Sequence, residues 1–178
     1  MEQDRILIVE DERIIALDLK RRLERFGYEV VGMASEADDA VELASKELPD
    51  LVLMDIMLSS ASDGITAATE IRRRNRIPVV FLTAYADEAT IQRAKIAEPV
   101  GYVLKPFKER ELHTTIDIGL YKSRVERELL RQERLFSSIL RSAGDAIVAA
   151  DSVGVIQFMN PVAETLTGWK EDEARGEP

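Results

Sequence analysis

The sequence predicts an α/β protein with a doubly wound, five-stranded parallel sheet, and three observations predict it. Short apolar runs alternate with helical patterns five times from Ile6 to about Lys108. The connections are short, and parallel strands joined this way need a helical crossover between them. The central run, Asp50-Leu51-Val52-Leu53-Met54-Asp55, sets four consecutive apolar residues between carboxylates. That is how a strand buried on both faces reads.

Taken in order, Ile6-Leu7-Ile8-Val9 is the first strand, and Glu10-Asp11-Glu12 leads into a helix with Ile15, Leu19, Leu23 and Phe26 on one face. Gly27 stands where a helix C-terminus favours glycine. Val30 and Val31 mark the second strand. Ala37, Ala40, Val41, Ala44 and Leu48 make a second helical stripe, which Pro49 stops. After the Asp55 strand, a polar loop from Ser59 to Asp63 precedes a helix from about Gly64 to Arg74. Pro78 to Thr83 is the fourth strand, Asp87 to Ala97 a helix, and Tyr102-Val103-Leu104 the fifth strand. The alternation implies helices on both faces of the sheet.

The fifth helix begins near Lys108 and runs to Ser142 without a proline, with Gly119 its only glycine. Val125, Leu129, Gln132, Phe136, Ile139 and Ala143 step along it by four and three, a short heptad seam with one polar position. The seam is either an amphipathic face packed on its own domain or a parallel coiled coil joining two protomers; a homodimer through this linker helix is the expectation carried forward. Beyond it, Ala146-Ile147-Val148-Ala149 and Val155 to Met159 flank the turn Asp151-Ser152-Val153-Gly154 as a hairpin. Asn160-Pro161 then opens a helical stretch reaching Gly168-Trp169. One hairpin in roughly 35 residues buries too little to stand alone, which suggests the opening of a second domain. The expected boundaries are 1–120, a helical linker 121–141, and 142–178.

Charge and composition narrow the function. With 33 acidic against 24 basic residues the net charge is -9, which disfavours general binding to nucleic acid or anionic membranes, since both need phosphates neutralised by Lys and Arg. No cysteine is present, so disulfides, thiolate metal sites and thiol nucleophiles are excluded. No apolar run approaches the roughly 20 residues of a membrane span. A soluble cytoplasmic protein is expected.

Asp55 stands where its strand leaves the core, at the carboxyl edge where ligands collect in open parallel sheets. If the first strand lies beside the third, Glu10, Asp11 and Asp55 face one crevice. Two carboxylates about 4 Å apart repel by roughly 4 kcal/mol at an effective dielectric near 20, so three together require cations. Lys105, at the end of the fifth strand, supplies one, and a hard divalent ion such as Mg²⁺ suits the oxygen donors. Thr83, ending the fourth strand, adds a hydroxyl. A nucleophilic carboxylate, a divalent ion, a lysine and a hydroxyl donor make a phosphoryl-acceptor site.

With Glu10-Asp11, Asp55 within Leu-Met-Asp-Ile, Thr83-Ala84 and Lys105-Pro106-Phe107 at separate strand ends, residues 4 to about 120 resemble a response-regulator receiver domain. The resemblance implies a flavodoxin-like strand order 2-1-3-4-5, and Mg²⁺ held by Glu10, Asp11, Asp55 and the Met57 carbonyl. It implies phosphoryl transfer to Asp55 from the phosphohistidine of a sensor histidine kinase or phosphotransfer protein. Lys105 would hold the phosphoryl group, Thr83 would follow it inward, Tyr102 would swing with Thr83, and Lys105-Pro106 would be cis. Residues 135–178 resemble the opening of a PAS sensor domain, through Ser142 to Ile147, Phe158-Met159-Asn160-Pro161, Glu164 and Leu166 to Trp169.

Plainer roles stand beside these. Glu10 and Asp11 could cap the first helix, Tyr85 could only shield the site, His113 lacks ligand-spaced partners and reads as a surface residue, and Trp169 reads as an anchor of the incomplete domain. A phosphatase of the haloacid-dehalogenase type would need a second Asp at the position of Met57, and no Gly-X-Gly serves a dinucleotide fold. The context alternative is the receiver and PAS portion of a hybrid sensor histidine kinase. No helix-turn-helix pattern follows the receiver.

Overall fold

The computed structural model describes residues 3–58, 63–84 and 88–177. Two compact units divide at Val125 and Glu126, within a single continuous helix.

In the first unit the sheet comprises β1 (Arg5–Val9), β2 (Glu29–Ala34), β3 (Leu51–Asp55), β4 (Val79–Thr83) and β5 (Gly101–Leu104), all parallel in the order β2-β1-β3-β4-β5. The predicted fold and strand order are therefore observed. Parity along the strands explains the two cores, because successive side chains point to opposite faces. Ile6 and Ile8, with Leu51 and Leu53, pack against Leu19 and Leu23 of α1 (Arg13–Phe26) and against Leu112, Ile116 and Leu120 of α5 (Glu109–Ser142). Leu7 and Val9, with Val52 and Met54, pack on the other face against α2 (Ala37–Glu47) and α3 (Gly64–Asn75). Every residue of β3 is buried, so truncating Leu53 to Ala removes about 2–5 kcal/mol.

Helix ends follow local chemistry. Gly27 takes φ 91 to close α1. The second stripe is one residue shorter than expected: α2 stops at Glu47, and Leu48 takes a left-handed cap at φ 47 with 59% exposure. Asp63 caps α3 by accepting from the Thr66 amide at 2.9 Å and its hydroxyl at 2.8 Å. The fourth helix is shorter than its pattern, α4 (Glu88–Ala94) passing into a 3-10 turn at Lys95–Ala97. Gly119 permits close approach of α5 to the sheet, since a Cβ there would lie 2.8 Å from Val100 Cγ2 and 3.0 Å from Leu51 Cδ1.

His113 lies at the surface as its sequence reading expects, its side chain 43% exposed, and there its ring stacks 4.6 Å from that of Phe26 and 5.9 Å from that of Tyr28, with Nε2 3.5 Å from Asp117. The partners come from other elements or one helical turn on, so spacing between ligand-type residues did not reveal them. Tyr28 donates to Asp117 Oδ1 at 2.6 Å. Burial first, then that hydrogen bond, raises its phenol pKa well above the usual value. A raised folded-state pKa contributes stability that is complete below the unfolded value of about 10 and is lost as pH climbs past it. In urea unfolding, wild type should exceed Tyr28→Phe by about 1 kcal/mol at pH 8. That advantage should fall by about 1.4 kcal/mol by pH 11; an advantage independent of pH would contradict the assignment.

The second unit holds the C-terminal part of α5, an antiparallel pair β6 (Val148–Ala150) and β7 (Ile156–Met159), α6 (Pro161–Thr167) and α7 (Glu171–Ala174). The hairpin is as expected, while the four-residue α7 is too short to carry a periodic signal. Met159, Ala163 and Ala174 form its small core, with Ile156 against it. Trp169 does not anchor that core: it is 56% exposed and lines an apolar cleft of about 330 Å³ with Val148, Ile156 and Met159. Among the described residues no helix is long and apolar enough to cross a membrane.

Candidate functional site

The acidic side chains converge because β1 lies between β2 and β3. Val9 is in register with Met54, so the next residues, Glu10 and Asp55, emerge together at the carboxyl edge. Glu10, Asp11 and Asp55 each offer one carboxylate oxygen, and these atoms lie within 4.8 Å of one another. Glu10 and Asp55 are 2% and 6% exposed. Their repulsion is offset by Lys105, whose Nζ donates to Glu10 Oε2 at 2.6 Å and to Asp55 Oδ2 at 2.5 Å. Lys105 reaches that position because β5 ends beside β4, its amide donating to the Thr83 carbonyl at 2.8 Å. The Lys105-Pro106 bond is cis.

Electrostatics follow the burial. Desolvation, opposed by the Lys105 hydrogen bond and reinforced by the Asp55 charge, raises the Glu10 pKa. For Lys105 burial acts to lower the pKa, but the hydrogen bonds to Asp55 and Glu10 prevail and raise it. The ammonium therefore stays charged between two carboxylates. Met57 donates its amide to Asp55 Oδ1 at 2.9 Å and exposes 72% of its surface. Asp55 is thus held at both oxygens, one by a backbone donor and the other by a cation.

Thr83 closes β4 at the same edge, one residue past the Leu82 that pairs with Asp55, and is buried at 3% exposure. Tyr102 stands within β5. It pairs with Phe81 in the neighbouring strand, their rings 6.0 Å apart, and packs into the α2 and α3 face of the core. Its hydroxyl is buried and has no hydrogen-bond partner among the described residues, and burial raises its pKa. Tyr85, read as a shield of the site, lies outside the described residues.

One positioning residue escaped the sequence reading. A Cβ at Gly64 would stand 1.9 Å from the Asp55 carbonyl oxygen, so the first turn of α3 rests directly on the backbone of the Asp55 strand. The only local signal was a glycine at a helix start after an Asp cap.

An acidic triad at the carboxyl edge of a 2-1-3-4-5 parallel sheet, bridged by a lysine before a cis proline, is the arrangement of one class of signalling domain. The chain belongs to that class: the family model for the response regulator receiver domain matches residues 6–117, and the PAS fold matches residues 134–178. It is therefore a member of the response regulator receiver family whose receiver domain is followed by a PAS fold. Among particular proteins, the transcriptional regulatory protein PdtaR of Mycobacterium tuberculosis is 41% identical over 120 residues, which is 67% of this chain and 58% of that protein. The phyllosphere-induced regulator PhyR of Methylorubrum extorquens is 35% identical over 117 residues, 65% of this chain and 43% of that one. The chain thus aligns with 58% or less of the length of these two relatives. Among solved structures, the signal receiver domain of a modulated diguanylate cyclase from Desulfovibrio desulfuricans G20 superposes with a TM-score of 0.67 at 38% identity, covering 70% of this chain and 99% of that one. The N-terminal domain of a response regulator/sensory box/GGDEF three-domain protein from Carboxydothermus hydrogenoformans gives 0.63 at 37% identity, covering 68% and 99%.

Proposed function

We propose that this chain accepts a phosphoryl group on Asp55 from the phosphohistidine of a sensor histidine kinase or phosphotransfer protein, and passes the resulting change to α5. The observation that carries this reading is Asp55 held between the Met57 amide and the Lys105 ammonium, beside Glu10 and Asp11.

The donor set fits Mg²⁺, because three carboxylate oxygens within 4.8 Å of one another are hard ligands with charge to spare. Glu10, Asp11 and Asp55, with the Met57 carbonyl, would hold it. When bound, the ion neutralises charge developing on the phosphoryl oxygens. In the transfer an Asp55 oxygen forms a bond to phosphorus as the phosphorus–nitrogen bond breaks, and the imidazole keeps the electron pair. Lys105 stabilises the phosphoryl oxygens electrostatically. Thr83 lies at the strand edge where its hydroxyl can donate to the new phosphate. The test is transfer from acetyl phosphate with Mg²⁺, read as one phosphoryl group on the intact chain by mass spectrometry.

Switching follows from charge. Phosphorylation adds about -1.5 to -2 units and three strong acceptors, which draw Thr83 and Lys105 toward Asp55. Tyr102 turns into the space that Thr83 leaves and gains a partner for its buried hydroxyl, altering the face made by α4, β5 and α5. In domain terms residues 1–120 are the receiver, 121–141 the linker and 142–178 the start of a PAS domain. The regulator names of the two relatives favour this reading over a hybrid sensor kinase.

The output is assigned to a homodimer through the linker. Leu129, Phe136 and Ile139 are 57%, 65% and 57% exposed on α5, apolar surface that a matching helix would cover. Sedimentation should find wild type dimeric and the double variant Leu129→Asp with Phe136→Asp monomeric. An unchanged mass would overturn the dimer assignment.

A further inference from the structure

One buried amide ties the end of α5 to the rest of the second unit. Asn160 is 0% exposed. Its Oδ1 accepts from the Ile147 amide at 2.9 Å and the Ala163 amide at 3.0 Å. Its Nδ2 donates to the Asp145 carbonyl at 2.8 Å and the Leu140 carbonyl at 3.3 Å. Two donors and a doubly accepting oxygen are all that a carboxamide offers, so its capacity is fully used. A buried group this committed resists partial loss, because each unmet donor or acceptor keeps its desolvation penalty.

The two ends of the side chain serve different elements. The oxygen holds the residue that leads into β6 and caps α6. The nitrogen holds a carbonyl in the last turn of α5, one of those that a helix C-terminus leaves without an internal partner, and the loop that follows. The backbone amide of Asn160 donates to the Ile147 carbonyl at 3.0 Å, which fastens the residue to the hairpin. Arg141 makes a second hold on the same turn, donating to Glu171 at 2.8 Å with its guanidinium 5.6 Å from the Phe158 ring centre. The Arg141 side chain is 52% exposed, so that ion pair is screened and is the weaker hold.

We propose that Asn160 is the positioning residue that couples the last turn of α5 to the β6–β7 hairpin, so that loosening or displacement of α5 reaches the hairpin chiefly through this amide, the solvent-screened Arg141 contacts being the lesser route. Its regulatory meaning rests on the reading of α5 as the output helix. Its test uses no phosphoryl group, so failure here is distinct from failure at Asp55.

Asn160→Asp separates the two ends. The carboxylate still accepts from Ile147 and Ala163 but presents an oxygen, not a donor, to the Leu140 and Asp145 carbonyls. Arg134→Gly, at an exposed position of α5, loosens the helix from a distance through glycine's low helix propensity. Amide hydrogen exchange by NMR reads the hairpin from Val148 to Met159. With Asn160 present, Arg134→Gly should raise exchange there about fivefold. In the Asn160→Asp background the same substitution should leave hairpin exchange within about 1.5-fold of its parent. Asn160→Ser, which keeps a capping oxygen but cannot reach Leu140, should behave like Asn160→Asp and serves where the carboxylate disturbs folding. A full fivefold response in either background overturns the assignment.

Discussion

Asp55→Asn is expected to abolish phosphoryl transfer from acetyl phosphate while leaving the fold intact. The amide keeps nearly the same shape, so the hydrogen bond from the Met57 amide survives. What disappears is the nucleophile, because a carboxamide oxygen carries no negative charge to attack phosphorus. The Asn amide nitrogen also cannot accept from Lys105, which then pairs with Glu10 alone at the site. Labelling should fall by at least about a hundredfold, below detection in a mass spectrum that resolves one added group. Chelation of Mg²⁺ should suppress labelling of wild type to a similar degree. Equal labelling of wild type and Asp55→Asn would remove Asp55 from its role, and wild-type labelling that survives chelation would remove the metal.

The second large effect is expected at Gly64, a residue that carries no chemistry. A Cβ there meets the Asp55 carbonyl oxygen at 1.9 Å, the Asp55 carbonyl carbon at 3.0 Å and Met54 Cγ at 3.2 Å. Two of these are backbone atoms of a strand buried throughout, so neither can step aside as a flexible side chain would. Either the first turn of α3 lifts away, breaking the Gly64 amide's hydrogen bond to the Ile56 carbonyl at 3.2 Å, or Asp55 itself shifts. Gly64→Val should lower unfolding free energy by about 3 kcal/mol. It should also slow phosphoryl transfer about tenfold or more in the fraction that remains folded, because a small displacement of the acceptor degrades its alignment. Gly144→Ala is the control: a Cβ there meets nothing within 4 Å, and its effect should stay within about 0.5 kcal/mol. Equal, small losses at both glycines would show that α3 accommodates the side chain without disturbing Asp55.

Much of the fold was legible because it rests on local rules. Ile6 to Val9, Leu51 to Met54 and Val79 to Leu82 are apolar without alternation, as strands covered on both faces must be, and Gly27 stands where a left-handed cap needs it. Periodicity alone places Leu48 on the α2 stripe, whereas the structure ends α2 at Glu47 and leaves Leu48 exposed in a left-handed cap. The candidate site was legible through Asp55 at a strand end and through motif positions on separate strands, a pattern of residue types at intervals. The stacking of the surface residue His113 on Phe26 and Tyr28 was not, because those partners are more than eighty residues away in the chain, and no local pattern of a surface helix distinguishes a stacked imidazole from a free one.

By itself the sequence determined the strand and helix succession as far as α6, the acidic and lysine positions that carry the resemblance to the receiver family, and the long helix α5, since each follows from short-range periodicity or from residue identity. Tertiary structure alone decided that Lys105 bridges Glu10 and Asp55, partners separated from it by 95 and 50 residues. It likewise decided that Gly64 bears on the Asp55 backbone and that Asn160 gathers four partners into one amide. These contacts depend on ångström-scale distances set by strand order, register and helix approach. Those quantities emerge only when distant segments pack together, so no stretch of the chain read alone contains them.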